Sequence, residues 1–464
     1  MRILLPSLIL LQIASASASI IGIMDSGSDI SHKDLAPKAW INVNEKVGSV
    51  KDLDNDGLPG DVNGWDFIEN SPKVFNDKYN YLITDDVKTF YTYYSKYDLG
   101  QLNGTSPELI WLKSHSADQV LMNKVNFVSE YIHGTHVAGI AALNNPKAKI
   151  LSMKIIPTVY QEAVGDSKNS SKALRLHGNF GLTAPTKTYD EFMAEVIESA
   201  NRQVNEMITL HSILNMHKAD VVNQSFGTSA EMATNFITSG FIDELKRDPT
   251  ASEKNALIAA YFNQLFREGP KMFAAAPNTV FTIAAGNDNS NNDLVADFPS
   301  NIQAENKIVV AATVGYKSLA DFSNYGATKV DVAAPGVAIL STAPTNTYLP
   351  LIGTSQATPF VTNIIASMKD LNSALSARDL KAIVEGTVDY KTWLKGKVKT
   401  CGIVNKARAL KAAEFAKSSS IDLAISKARS TISDVAETKS LSLKPAGIKL
   451  NFRPIRPSLL IKKI

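Results

Sequence analysis

The sequence predicts an α/β fold of parallel strands joined by crossover helices, on two observations. Short β-branched runs recur at Ile20 to Met24, Ile150 to Ile155, Val221 to Ser225, Val280 to Ala285 and Ile308 to Val314, with helical patterns between them. Strands that alternate with helices in this way pair in parallel. Composition agrees: of 464 residues, 44% are hydrophobic and 20% charged, which supplies a core and excludes a disordered or collagen-like chain.

Charge and cysteine content narrow the function classes. With 48 Lys+Arg against 45 Asp+Glu the formal charge is +3, so nothing argues for a nucleic-acid partner or a membrane surface. Cys401 is the single cysteine, which rules out an intrachain disulfide and a cysteine-based zinc site.

At the N-terminus, Met1-Arg2, the apolar run Ile3 to Ile13 and the small residues Ala14 to Ala18 have the layout of a secretory signal, with cleavage expected after Ala16 or Ala18. The competing reading is a buried N-terminal strand. The apolar run is about half of the ~20 residues that a spanning helix needs, and no later stretch is long and apolar enough to serve as a stable membrane span. The expected location is therefore secreted or periplasmic. Residues 418–464 carry nine basic and three acidic residues with Pro445, Pro454 and Pro457, and read as a solvated basic tail.

In parallel sheets the ligand site lies beyond the carboxyl ends of the strands, so the segments after each strand are where chemistry is expected. The first strand runs into Asp25-Ser26-Gly27. Aspartic peptidase chemistry needs two carboxylates sharing a proton, and no second Asp-Ser/Thr-Gly occurs, so Asp25 needs another partner. His133-Gly134-Thr135-His136 opens a helix of small residues that can pack close to the sheet. Two histidines three apart could hold a metal, but the intervening Glu and third ligand of zinc hydrolases are missing. Gly353-Thr354-Ser355-Gln356-Ala357-Thr358-Pro359 precedes the helical run Phe360 to Met368, which puts Ser355 at a helix start, either as a simple cap or as an exposed hydroxyl favoured by the helix dipole. All seven histidines precede Ser355, so the Ser, Asp, His order of α/β-hydrolases is impossible, whereas Asp25, His133, Ser355 gives the order Asp, His, Ser.

On these segments, together with VVNQSFG at 221–227, TIAAGNDNSNND at 282–293, FPSNIQAENKIVVAATVG at 298–315 and FSNYGATKVDVAAPG at 322–336, the chain resembles the subtilisin-like serine peptidases, the subtilases, over roughly residues 20–410. The resemblance implies a three-layer, mostly parallel twisted sheet with helices on both faces. It implies that Ser355 is the nucleophile, His133 the general base and Asp25 its orienting carboxylate, with Asn287 as side-chain donor of the oxyanion hole. Ser225, Phe226 and Gly227 match the strand that pairs with polypeptide substrates, with Ala284, Ala285 and Gly286 opposite; Phe226 either lines the pocket or packs. His136 is structural in this resemblance. Gln356 stands where the family usually has an oxidation-prone Met. Asp25 lies only seven residues after Ala18, which leaves no room for the family's usual N-terminal propeptide and implies unaided folding, an upstream start or a degenerate member.

Lys51 to Gly57 and Asp61 place carboxylates at alternating positions before a glycine, like the start of an EF-hand loop, but position twelve is Asn63 rather than Glu. Some subtilases bind calcium at a similar stretch, and the implied structural Ca²⁺ ligands are Asp52, Asp54, Asp56 and Asp61; the alternative is a solvated acidic turn. Spacings between the motifs imply helical insertions near 71–128, 158–186 and 231–276 within a peptidase domain at 19–417, and these are expected to occlude the cleft in part. Two other functions remain compatible with the motifs: a catalytically silent binding or scaffold protein, and an esterase or amidase with the same triad.

Overall fold

The computed structural model of the chain describes residues 18–160 and 186–436, together with Phe452, Pro454 and Pro457. Most of the signal-like segment, and most of the insertion at 158–186, lie outside the described residues.

The strands in chain order are β1 Ile20–Asp25, β2 Gly64–Asp66, β3 Lys149–Lys154, β4 Val221–Gln224, β5 Thr228–Ser229, β6 Val280–Ala284 and β7 Asp297–Phe298. They continue with β8 Lys307–Val314, β9 Ser318–Leu319, β10 Val332–Pro335, β11 Ile339–Ala343, β12 Thr347–Leu351, β13 Asp389–Tyr390 and β14 Gly402–Ile403. The first helices are α1 Asp85–Asp98, α2 Pro107–His115, α3 Gln119–Tyr131, α4 His133–Ala141, α5 Tyr189–Met216 and α6 Ala230–Leu245. The remainder are α7 Ala251–Glu268, α8 Pro270–Ala274, α9 Thr354–Leu371, α10 Ala377–Gly386, α11 Lys406–Phe415 and α12 Ile421–Thr431.

The main sheet has the order β13-β14-β10-β8-β6-β4-β1-β3-β2, with β9 paired to β8. All pairs along this order are parallel except β13 with β14, and β9 is antiparallel to β8. A parallel sheet must be covered on both faces, and the period-two alternation of side chains sorts its residues into two cores. Ile21 and Ile23 of β1 and Ile308, Val310 and Ala312 of β8 join α1, α3, α4 and α9 on one face. Met24, Val309 and Ala311 join α5, α6 and α7 on the other. The result is the expected three-layer arrangement. β1 lies between β3 and β4, so the strand order reverses there, and Asp25 ends that strand. A crevice beyond the strand ends at such a reversal is where an α/β sheet binds ligands.

The long helix α5 starts at a capping box, in which the Thr188 side chain accepts from Glu191 N–H while the Glu191 carboxylate accepts from Thr188 N–H. The insertion at 231–276 supplies α6, α7 and α8, whose apolar faces thicken the second core around α5. The insertion at 71–128 supplies α1, α2 and most of α3, and α1 lies against β12, the strand that leads to Ser355.

The expectation of a solvated tail from residue 418 is corrected as far as residue 434; most of residues 437–464 lie outside the described residues. Ala424 and Ala428, four apart on α12, are fully buried, and α12 packs against α11 and α10. Beyond α12, Asp434 pairs at 2.7 Å with Arg408, whose guanidinium also contacts the buried Asp389 at 2.9 Å. A short stripe of alanines contributes little hydropathy, so composition masked this docking.

The sheet and α4 meet at one tight point. A Cβ on Gly134 would lie 2.4 Å from the carbonyl oxygen of Gly27 and 3.1 Å from Asp25 Cβ. We expect Gly134→Ala to cost about 1–3 kcal/mol through overpacking and to draw His133 away from Asp25. Urea unfolding of the variant tests this; wild-type stability would mean that α4 has room to shift.

Candidate active site

Asp25 and His133 come from the end of β1 and the first residue of α4, and both are almost completely buried. His133 Nδ1 lies 2.7 Å from Asp25 Oδ1, which also accepts the Ser26 N–H at 2.7 Å. A carboxylate facing Nδ1 fixes the proton on that nitrogen and leaves Nε2 as the basic lone pair. Nε2 has no hydrogen-bond partner among the described residues. The Ser26 hydroxyl accepts from Gly134 N–H at 3.1 Å, and the Thr135 hydroxyl accepts from Asp29 N–H at 2.9 Å, so Ser26 and Thr135 fasten the strand end to the helix.

His136 lies one turn on and does different work. Its Nε2 faces the carbonyls of Ile339 at 3.0 Å and Leu349 at 2.9 Å, on both strands of the β11–β12 hairpin. Burial holds its pKa at about 3, so the ring stays neutral and donates from Nε2 to that pair of carbonyls. This bond joins the helix carrying His133 to the hairpin that delivers Ser355.

Ser355 is the second residue of α9, and Gly353 before it has φ +150°, a backbone that glycine tolerates and side chains rarely adopt. Pro359 has no N–H, so the Ser355 carbonyl lacks its usual helical donor four residues on. The Ser225 hydroxyl fills that place at 3.0 Å. In return Ser355 Oγ donates to the Ser225 carbonyl at 3.0 Å. The two serines are therefore cross-linked by reciprocal hydrogen bonds, and the Ser355 hydroxyl rests on Ser225 rather than on His133.

Asn287 follows β6, and its orientation is set by Thr354, which the sequence reading overlooked. Asn287 Oδ1 accepts from Thr354 N–H at 2.9 Å and from the Thr354 hydroxyl at 2.8 Å. Nδ2 is thereby turned outward as a donor, beside the first turn of α9 where backbone N–H groups lack helical acceptors. Ala284, Ala285 and Gly286 run into Asn287 from β6, and Gly286 N–H is held by the Thr354 hydroxyl at 3.2 Å. Ser225, Phe226 and Gly227 continue from β4; the Phe226 side chain joins the second core.

Two donors of this crevice are taken by the C-terminal segment. Asn287 Nδ2 donates to the Pro454 carbonyl at 3.3 Å, and Gly227 N–H donates to the Pro457 carbonyl at 3.0 Å. Nothing in the sequence pattern pointed to this contact, because Pro454 and Pro457 read as breakers in a basic tail.

The acidic loop has a definite internal order. Asp52 spends both carboxylate oxygens on the N–H groups of Asn55, Asp56 and Gly57, so it shapes the turn. Asn42 Nδ2 donates at 2.8 Å to both Asp54 Oδ2 and Asp61 Oδ1. That leaves Asp54 Oδ1 and Asp61 Oδ2 buried without a hydrogen-bond partner among the described residues. His217, brought in by the end of α5 and invisible to local spacing, lies 2.8 Å from Asp56 Oδ2 and 3.4 Å from Asp61 Oδ2. Burial by itself would lower His217, yet the Asp61 and Asp56 carboxylates outweigh it and raise its pKa. Burial, followed by Asp61 and Asp54, raises Asp56. Asp54, Asp56 and His217 form one candidate donor group, and Glu45, Asp52 and Asp54 another. Hard oxygen donors with unmatched negative charge fit Ca²⁺; an imidazole is not among its usual ligands.

A family model described as the subtilase family matches residues 16–410. Thermitase of Thermoactinomyces vulgaris is 37% identical over 149 residues, which is 31% of this chain and 47% of that protein. An extracellular protease of Xanthomonas campestris pv. campestris is 34% identical over 148 residues, 30% of this chain and 25% of the relative. Among solved structures, that of a cold adapted subtilisin-like serine proteinase covers 84% of this chain and 88% of its own at 15% identity, with a TM-score of 0.40. The matched region spans less than half the length of these two curated relatives.

Two histidines buried as neutral rings make the fold sensitive to acid. His211, bonded to the Met272 carbonyl at 2.6 Å and stacked on Phe281, is held at about 3 by burial, like His136. Between that value and the ordinary 6.5 the unfolded chain binds protons that the folded chain refuses, so stability falls as pH drops below about 6.5. The expected slope is ~1.4 kcal/mol per pH unit for each of the two histidines, offset in part by His217, whose raised pKa favours the folded chain as pH falls. Urea unfolding of Ser355→Ala at pH 7, 6 and 5 reads it, and a flat profile would contradict the neutral assignment.

Proposed function

Since the chain belongs to the subtilase family, we propose that it is a serine endopeptidase that hydrolyses polypeptides through Asp25, His133 and Ser355. The observation that carries this reading is the 2.7 Å bond from His133 Nδ1 to Asp25, which leaves Nε2 as an unpaired base on a helix packed against α9. For reaction, the Ser355 hydroxyl leaves the Ser225 carbonyl and turns to Nε2. His133 then takes its proton as Oγ attacks the scissile carbonyl, and later delivers that proton to the departing amine. Asp25 steadies the imidazolium formed between these steps.

The developing oxyanion is received by Asn287 Nδ2 and the Ser355 N–H. Thr354 fixes the amide orientation in advance, so little reorganisation is needed as charge appears. Substrate lies extended between Ser225–Gly227 and Ala284–Gly286, pairing through the backbone as an added strand. Its acyl side runs along Ser225–Gly227 toward Asn287. Residues 1–18 act as the export signal in this reading, and the protein works outside the cytoplasm.

A structural Ca²⁺ is part of the proposal. Asp54, Asp56 and Asp61 would hold it, and when bound it neutralises the carboxylates and pins the 42–61 loop. Asp52 keeps the turn in shape, and His217 acts as a neighbouring counter-charge.

Labelling by a fluorophosphonate probe and hydrolysis of casein should both disappear in Ser355→Ala. Asn287→Ala should keep the labelling site and lose about 10²–10³ in kcat. A well-folded chain with an open cleft that neither labels nor cleaves would overturn the peptidase reading. Chelation should lower the Tm, with Ca²⁺ restoring it in the wild type but not in Asp54→Asn/Asp61→Asn; an unchanged Tm would remove the ion.

A further inference from the structure

Residues far beyond the catalytic motifs reach the crevice. Phe452 is buried in an aromatic pocket on α1, with ring centroids 5.2 Å from Phe90, 6.4 Å from Tyr91 and 4.8 Å from Tyr94. The Tyr94 hydroxyl donates to the Phe452 carbonyl at 3.0 Å. Two residues on, the Pro454 carbonyl sits on Asn287 Nδ2, and three further on the Pro457 carbonyl sits on Gly227 N–H.

We infer that the C-terminal segment containing Phe452, Pro454 and Pro457 is a built-in ligand of the cleft, anchored by Phe452 on α1 and lying in the opposite direction to a substrate. The direction follows from residue order and rests on the substrate path given above. A substrate reaches Gly227 first and then places its scissile carbonyl at Asn287. In the tail, the residue at Asn287 comes first and the residue at Gly227 comes later. Pro457 therefore sits on the acyl side of the Pro454 carbonyl, where a substrate's earlier residues would be and where His133 delivers no proton to a leaving amine.

The two prolines fit this role. Each offers a carbonyl and no N–H, so they satisfy the two cleft donors and ask for no acceptor. The Ser225 carbonyl, which a substrate amide would use, is instead satisfied by Ser355 Oγ. The tail thus fills the oxyanion donor and the Gly227 N–H, while Ser225 separately holds the nucleophile off its base. The insertion at 71–128 gains a function as the anchor for the chain's own C-terminal segment.

The test separates binding from catalysis. In the Ser355→Ala background, a fluorescein-labelled peptide with the sequence of residues 446–460 is titrated against the full chain with and without Phe452→Ala, and binding is read by anisotropy. The peptide should bind the Phe452→Ala chain at least tenfold more tightly than the intact chain, and its own Phe→Ala version should lose that advantage. Equal binding to both chains, or none to either, overturns the inference. With Ser355 present, Phe452→Ala should raise kcat/KM on a chromogenic peptide at least tenfold, while Phe452→Leu raises it less. Circular dichroism melts of all chains identify any variant that fails to fold, and Phe452→Leu then carries the comparison. Mass spectrometry of active wild-type enzyme should show an intact Pro454–Ile455 bond; cleavage there would overturn the reversed direction. Tail binding without hydrolysis by any variant would uphold the tail as a ligand of the cleft and sink the peptidase reading, and the comparison with a substrate's direction with it.

Discussion

The arrangement of the crevice depends on how closely α4 approaches the end of β1. Helix and strand backbones meet at Gly134 and Gly27 with no space for a single added carbon. Only at that separation does the first side chain of the helix meet the last side chain of the strand, bringing His133 Nδ1 to 2.7 Å from Asp25. The same approach lets Ser26 and Thr135 bond across the junction, so one steric condition sets the carboxylate, the ring tautomer and the local rigidity together. His136 passes this position on to the β11–β12 hairpin, so Ser355 is located relative to His133 through hydrogen bonds rather than through a flexible loop.

A second constraint comes from Pro359. A proline inside a helix removes one backbone bond, and a freed carbonyl in a buried place needs another donor. Here the freed carbonyl belongs to Ser355 and the donor is Ser225, so the missing bond becomes a link between α9 and the strand lining the cleft. Thr354 plays the matching part for Asn287. The residues on either side of Ser355 thus position the two groups expected to receive a substrate.

The fold was legible because parallel strands are buried on both faces and spell themselves as continuous β-branched runs. Each of the expected strands is found within a residue of its predicted bounds, as in Ile20–Asp25 and Lys307–Val314. The motif residues that meet at the crevice were legible because tight backbone geometry demands particular residues, such as Gly134. What was hidden depends on contacts between distant segments made by ordinary residues. His217 reaches Asp56 across 161 positions, and nothing near either residue signals the meeting. Ala424 and Ala428 dock α12 with almost no hydropathy, and Phe452 is a lone aromatic whose pocket exists only after α1 folds.

The C-terminal segment also answers a problem of hydrogen-bond accounting. A buried donor left unpaired costs about 1–3 kcal/mol, and the cleft holds two preset donors, Asn287 Nδ2 and Gly227 N–H, on buried residues. Carbonyls of Pro454 and Pro457 meet both, while the acceptor beside them, the Ser225 carbonyl, is met by Ser355. Within the Asp25, His133 and Ser355 group, the buried side-chain atoms still without a hydrogen-bond partner among the described residues are Asp25 Oδ2 and His133 Nε2. One of these is the lone pair that a general base needs. A polar network that satisfies its binding groups and leaves its basic nitrogen unpaired among the described residues holds its reactivity in place, because a substrate must take Asn287 and Gly227 from the tail carbonyls, and Ser355 must leave the Ser225 carbonyl for His133 by rotation of a single side chain.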